Sequence, residues 1–414
     1  MGFLRPSSLL LLCALAAPAQ TTWIVDRAGG PGAHFSDLPP ALAAAVHGDT
    51  VVLRPGSYTP GATDQGITVQ GGDGVFLGHD TMRVQNVPAG EIFTMRDVDL
   101  SGLLRLGPGD PLLELSGNTG QVILEDLSIR GGIGRRLTCL HGGGLWITNC
   151  SAVSVRRCHL QYGYPPLWVT GSTAVLVECN VEGNPAWGCN PYSYSAPQSP
   201  GVITDGASVI FAGTQVRGGN GRAAHSSGWH PEFPPEPAMD LRNSAVVITG
   251  DSTTGLLAGG IPGLRRAAPT LRVRNGSLVL DPAVPLRTLW GPGSIESATV
   301  IPTVRPIPFL TAPAAVLGQS LPVDLTFRPG AAAVLMAGLA STPQLTPLGS
   351  WWLPPGLALG VGGATVPASG VLQFGLPLPN DAALEGLPLG LQAGTLEATG
   401  AQLSTPVAVV LRAG

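Results

Sequence analysis

The sequence has no lysine, so all 22 of its basic residues are arginine. Charge of either sign is scarce: Asp, Glu, Lys and Arg together make 12% of the chain, about half the usual share. The net charge is −4, and no basic run interrupts the sequence. Nucleic acid and anionic membranes are thereby excluded as main partners. Past the N-terminus, no apolar run reaches the ~20 residues of a membrane helix. The longest, Ala331–Ala340, lies between Pro329-Gly330 and Pro343. What is present is 44% hydrophobic residues, which excludes disorder driven by low hydrophobicity. Glycine (58) and proline (40) are abundant but lack a Gly-X-Y period, so collagen is excluded.

Residues Met1–Gln20 read as a secretory signal peptide. Arg5 is the positive flank, Leu9–Ala17 the short apolar stretch, and Ala17-Pro18-Ala19 a small-x-small cleavage site. Leu12 before Cys13 departs from a lipoprotein pattern. The mature chain then carries five cysteines, Cys139, Cys150, Cys158, Cys179 and Cys189, with no CxxC and no zinc-type spacing. An odd number in an oxidising compartment leaves at least one thiol unpaired or shared between chains. Disulfide and buried thiol both stay open, and the connectivity does too.

Internal repetition is the strongest signal. Leu145–Leu160, LWITNCSAVSVRRCHL, aligns with Leu167–Val181, LWVTGSTAVLVECNV, at an offset of 22 residues that falls to 21. Phe93–Gly102, Val122–Gly131 and Val209–Gly218 fit the same frame, and weaker copies follow at Ala245–Ile248 and Ser277–Leu280. Two apolar columns emerge: Val98, Leu127, Cys158, Cys179, Thr214, and Leu100, Ile129, Leu160, Val181, Val216. A polar column lies between them: Asp99, Ser128, His159, Asn180, Gln215. Alternation of period two means strands with one buried face. A unit that short cannot bury its face alone, so the copies must stack. The expected fold is all-β: a right-handed parallel β-helix over residues 20–295, then a small antiparallel β-sandwich over 300–414. Arg96-Asp97, Glu125-Asp126, Arg156-Arg157 and Glu178 also align, which predicts an exposed ion-pair ladder of structural rather than catalytic acids.

Ahead of the repeats, Trp23–Pro60 contains a short helix expected to be capped by Ser36, with Leu38, Leu42, Ala45 and Val46 on its apolar face. Gly32, Phe35, Leu38, Ala41, Ala44, Gly48-Asp49, Val51, Pro55-Gly56 and Tyr58 together resemble the N-terminal cap of pectin-lyase-like right-handed β-helix proteins. The resemblance covers about residues 23–290. It implies a helical cap over the open end of the solenoid. It implies no single activity, because the superfamily holds lyases, hydrolases, esterases and adhesins.

Insertions fall at one point of the repeat: Gly131–Gly144, Tyr162–Pro166, Gly183–Pro200 and Gly218–Ala238. They hold Arg135, Arg136, His141, Tyr162, Tyr164, Trp187, Tyr192, Tyr194, Arg222, His225, Trp229, His230 and Glu232. Aromatic faces stack on sugars and arginine pairs with carboxylates or sulfates. These thirteen residues are the candidate glycan face; burial that holds the loops together is the competing role for the aromatics.

Enzyme signatures of the superfamily are poorly matched. Asp97 and Asp99, expected on one strand face, could begin the calcium site of a lyase, but no third acid joins them. The Arg-x-Lys motif of polygalacturonases cannot occur without lysine. His225, His230 and Glu232 match no strong ligand spacing. From Ile301 onward the only charged residues are Arg305, Asp324, Arg328, Asp381, Glu385, Glu397 and Arg412, which makes acid–base chemistry improbable there. Leu376–Thr395 in this segment resembles a C-terminal module of secreted bacterial proteins, notably of planctomycetes. The sequence therefore reads as a secreted or cell-surface protein that binds a polysaccharide or cell-surface glycan. It requires no cofactor, and calcium enters only if the chain is a lyase. A polysaccharide lyase or glycoside hydrolase on the same face is the alternative. Oligomeric state is open.

Overall fold

The computed structural model describes residues 20–414, apart from 79, 102–109, 132–142, 185–198, 221–233, 251–253, 262–265, 289–290, 298, 342, 347–348, 355–357 and 399. The chain divides into two compact units. One is made of Trp23–Ala45 and Val51–Ile307, and the other is built on Pro308–Gly414.

The first unit is a right-handed parallel β-helix with a helix at its N-terminal end. Each coil contributes three strands, and each strand pairs in parallel with its counterpart in the next coil. The first stack runs through Met82–Gln85, Pro111–Ser116, Gly143–Thr148, Leu167–Thr170, Val202–Asp205 and the opening halves of Met239–Thr249 and Leu271–Leu280. The second runs through Ile92–Arg96, Gln121–Glu125, Ala152–Arg156, Thr173–Val177 and Ser208–Ala212 into the closing halves of the same two long strands. The third runs through Asp99–Ser101, Ser128–Arg130, His159–Gln161, Asn180–Glu182 and Gln215–Arg217. The repeat frame reproduces this register. Leu145 pairs with Leu167 at the offset of 22, and His159 with Asn180 at 21. Ala245 likewise pairs with Ser277. Both apolar columns are buried, from Val98 to Thr214 and from Leu100 to Val216.

Two corners of the coil are set by backbone conformation. Between the first and second stacks sit Asn86, Gly117, Asn149, Gly171, Gly206 and Asn243, with φ between 48° and 65°. Between the second and third sit Asp97, Asp126, Arg157, Glu178 and Gly213, with φ between 48° and 58°. Left-handed residues turn the chain while their N–H groups still donate to the next coil, as from Asn149 to Thr170 O at 3.0 Å.

The second corner corrects two expectations. Asp97 is itself the turn residue, so strand alternation stops there and it does not share a strand face with Asp99. The ion ladder is in register but not exposed. Arg96, Glu125 and Arg156 are at most 1% exposed, because the second stack is buried on its outer side as well, at Thr94, Ile123, Ser154 and Val175. Glu125 accepts from Arg156 at 2.9 Å and from Arg157 at 3.0 Å, and Arg157 also grips Asp126. Burial pulls the Arg156 guanidinium down to about 10, so it stays charged at neutral pH.

The N-terminal helix is Leu38–Ala44, with Leu38, Ala41 and Leu42 buried. Its cap is Asp37, not Ser36. Pro39 and Pro40 remove two of the N–H groups a cap would meet, and Asp37 Oδ1 takes the remaining near one, Leu38 N, at 2.9 Å. The same oxygen accepts from Thr59 N at 2.8 Å. Val46 leaves the apolar face and is 61% exposed, because the helix has ended.

The second unit is a small β-sandwich. A three-stranded antiparallel sheet holds Phe309–Thr311, Ser320–Thr326 and Val371–Pro377. A six-stranded sheet centres on Ala332–Leu339 and Pro388–Glu397 and includes Leu359–Thr365 and Val407–Arg412. Alternate residues Val323, Leu325, Ala333, Leu335, Leu391, Ala393 and Val409 make the core. The buried polar side chain of Gln392 is satisfied: it donates to Ser350 O and Ser404 O and accepts from Trp352 N.

Candidate functional site

All four insertions leave the solenoid after a third-stack strand and re-enter at the next first-stack strand. Their bases form one corner where backbone meets backbone. A Cβ on Gly183 would lie 2.6 Å from Ser199 O, so only glycine permits that approach. Eleven of the thirteen candidate residues lie outside the described residues: Arg135, Arg136, His141, Trp187, Tyr192, Tyr194, Arg222, His225, Trp229, His230 and Glu232. The other two frame one short loop. Tyr162 is half-buried with φ 58°, and its N–H donates to Glu182 O at 3.3 Å. Tyr164 is 38% exposed at the same corner. Burial raises its phenol above the usual range, with the Glu236 carboxylate adding to the shift.

Beside this corner, the outer side of the first stack carries residues that the loop-centred sequence reading passed over. In LWIT and LWVT the leucine, isoleucine and valine point inward and are fully buried. The intervening Trp146 and Trp168 therefore point outward, and they are register partners on adjacent coils. Their ring centroids are 5.1 Å apart at 67°. Trp146 lies back over the start of its strand: a Cβ on Gly143 would meet its Nε1 at 2.5 Å. Neither indole N–H has a hydrogen-bond partner. The signal was in the repeat itself, a tryptophan recurring at one outward position of two aligned copies.

The column continues in both directions. Glu114 is the neighbour of Trp146 on one side, and it takes Arg83 Nε at 3.2 Å. Ile203 and then Asp240 and Arg272 follow Trp168 on the other. Here acids and arginines interlock. Asp240 takes Arg242 at 2.7 Å and faces Arg274 at 3.8 Å. Arg272 reaches Glu296 at 3.2 Å and Glu236 at 3.7 Å. Glu236 stands at the foot of the last insertion, and burial pushes its carboxyl up against the pull of Arg272. Among the described residues, no group of three His, Cys, Asp or Glu side chains could hold a metal ion.

Cys150, Cys158 and Cys179 are buried free thiols. Burial raises Cys150 and Cys158, so neither is a ready nucleophile. Cys139 and Cys189 lie outside the described residues. No helix among the described residues is long and apolar enough to cross a membrane.

No protein-family model matches the chain, and no curated protein does. Among solved structures, it is similar to the full-length tailspike protein 2 of Escherichia coli O157:H7 bacteriophage CAB120, at 11% identity and a TM-score of 0.34. That match covers 95% of this chain, which spans 64% of the tailspike's length.

Proposed function

We propose that this chain is a secreted or cell-surface β-helix protein that binds a glycan, or another surface ligand, on the side where its insertions emerge, without transforming it. The observation that carries this reading is the outward Trp146–Trp168 pair beside the corner from which all four insertions leave. Partly exposed aromatic rings on a sheet, next to chain of variable length, suit recognition of an extended ligand. Secretion rests on the Met1–Gln20 pattern. A pectin-lyase-like ancestry rests on the cap residues from Gly32 to Tyr58, and the sandwich is an accessory module in this reading.

One observation favours a second reading, a polysaccharide lyase or glycoside hydrolase on the same side. Glu236 has a raised carboxyl near Tyr164, and Asp240 is close in sequence and in charge. A raised acid and a second carboxylate are what general acid catalysis of glycoside cleavage uses.

Incubation of the mature protein with acidic and neutral polysaccharides, with and without calcium, separates the two. Retention of the protein by a polysaccharide with no new oligosaccharides is the expected result. New oligosaccharides that vanish in Glu236→Gln would establish the enzyme, and unsaturated ends among them would make it a lyase.

A further inference from the structure

The outward first-stack column has an uncharged middle and charged ends. Trp146, Thr148, Trp168 and Thr170 cover two successive coils without a charge, and Ile203 extends the apolar strip into a third. Carboxylates bracket them: Glu114 on one side, Asp205 and Asp240 on the other. Among the described residues, every arginine of this column already has a carboxylate. Arg83 has Glu114, Arg242 and Arg274 share Asp240, and Arg272 has Glu296 and Glu236. An anionic chain laid along the column would meet no unpaired cation and would approach acids at both ends of the aromatic strip. Each of its charges would have to displace a carboxylate from an arginine, leaving two like charges together.

A neutral sugar meets no such cost. Its apolar C–H face covers an indole ring. Both indole N–H groups are buried, so the hydroxyls make no use of them and donate instead to Glu114 and Asp205, since a carboxylate accepts several hydrogen bonds. We infer that Trp146 and Trp168 form a subsite for a neutral polysaccharide, and that uronate-bearing or sulfated chains are rejected there. The inference rests on the glycan-binding reading above and narrows it to a ligand class.

The test is affinity electrophoresis of the mature protein in gels containing mixed-linkage β-glucan, galactomannan, dextran, polygalacturonate or alginate. Retardation by at least one of the three neutral polymers is expected, unaltered when salt is raised, with none by the two acidic ones. Trp146→Ala should weaken the retardation about tenfold, the loss of one aromatic stacking contact. Trp168→Phe keeps a ring and should keep most of it, and thermal melts of both variants show whether the coils remain folded. Retardation by the acidic polymers, alone or as strong as by the neutral ones, overturns the inference and leaves the glycan reading standing. Neutral retardation that a folded Trp146→Ala variant retains places the subsite elsewhere and also overturns it. No retardation in any gel overturns both.

Discussion

A single buried carboxylate organises the charges at the second corner. Glu125 is 1% exposed and holds two arginines. Removing one partner of a buried pair leaves an uncompensated charge and costs about 3–5 kcal/mol. Glu125→Ala should lose that much in urea denaturation, while the double change Glu125→Leu, Arg156→Leu should recover a large part. Glu178, one coil on, behaves oppositely. Burial raises its carboxyl despite Arg156 and Arg157. The folded chain therefore holds this proton more tightly than the unfolded chain, and protonation favours folding. Its effect on stability is unfavourable at neutral pH and is relieved as pH falls through the raised value toward the unfolded one, about 4.3. Glu178→Gln should be more stable than the parent at pH 7, and the gap should close in denaturation series taken toward that lower pH. At the first corner, Asn149 has φ 52°. Asn149→Ala forces a Cβ-bearing residue without a local hydrogen bond into that region and should cost about 1 kcal/mol. Asn149→Gly should be neutral to within about 0.5 kcal/mol by the same measurement.

At the scale of elements, legibility followed periodicity. The strands and their register could be read because each inward position repeats, as Leu145 over Leu167 and Cys158 over Cys179 show. The cap of Leu38–Ala44 could not be read from a serine rule, because two prolines changed which N–H groups needed a partner. Asp37→Ala should therefore cost about 1 kcal/mol and Ser36→Ala almost nothing in thermal unfolding. The same limit explains the misjudged ladder. Alternation told which side of the second stack Arg96, Glu125 and Arg156 occupy, but no local pattern reports that this outer side is buried too. It also explains the passed-over tryptophans. Unusual side chains in loops point to Tyr164, whereas the information in Trp146 and Trp168 lies in their shared strand position.

For the whole molecule, the solenoid core is one continuous cluster from Val25 to Val284. Stacked repeats share interfaces with their neighbours, so the middle coils open only when several come apart. Cys150, Cys158 and Cys179 sit in that middle and report on it. Under native conditions these three thiols should resist alkylation, read by peptide mass spectrometry, and react together once denaturant reaches the main transition. Labelling of one well before the others would indicate local fraying of its coil.

The feet of the insertions carry a last consequence. Asn184 N donates to Ser199 Oγ at 3.4 Å, and Gly219 O accepts from Glu236 N at 3.1 Å. Each pair ties the two ends of one insertion together, so the intervening chain is fastened like a bight of rope at a cleat. Closing a longer bight adds only about 0.6 kcal/mol per doubling of length. Mutation can therefore lengthen, shorten or rewrite what lies between the cleats while the coils keep their alignment. A lineage carrying this scaffold could retarget itself one bight at a time, and a laboratory could do the same by grafting.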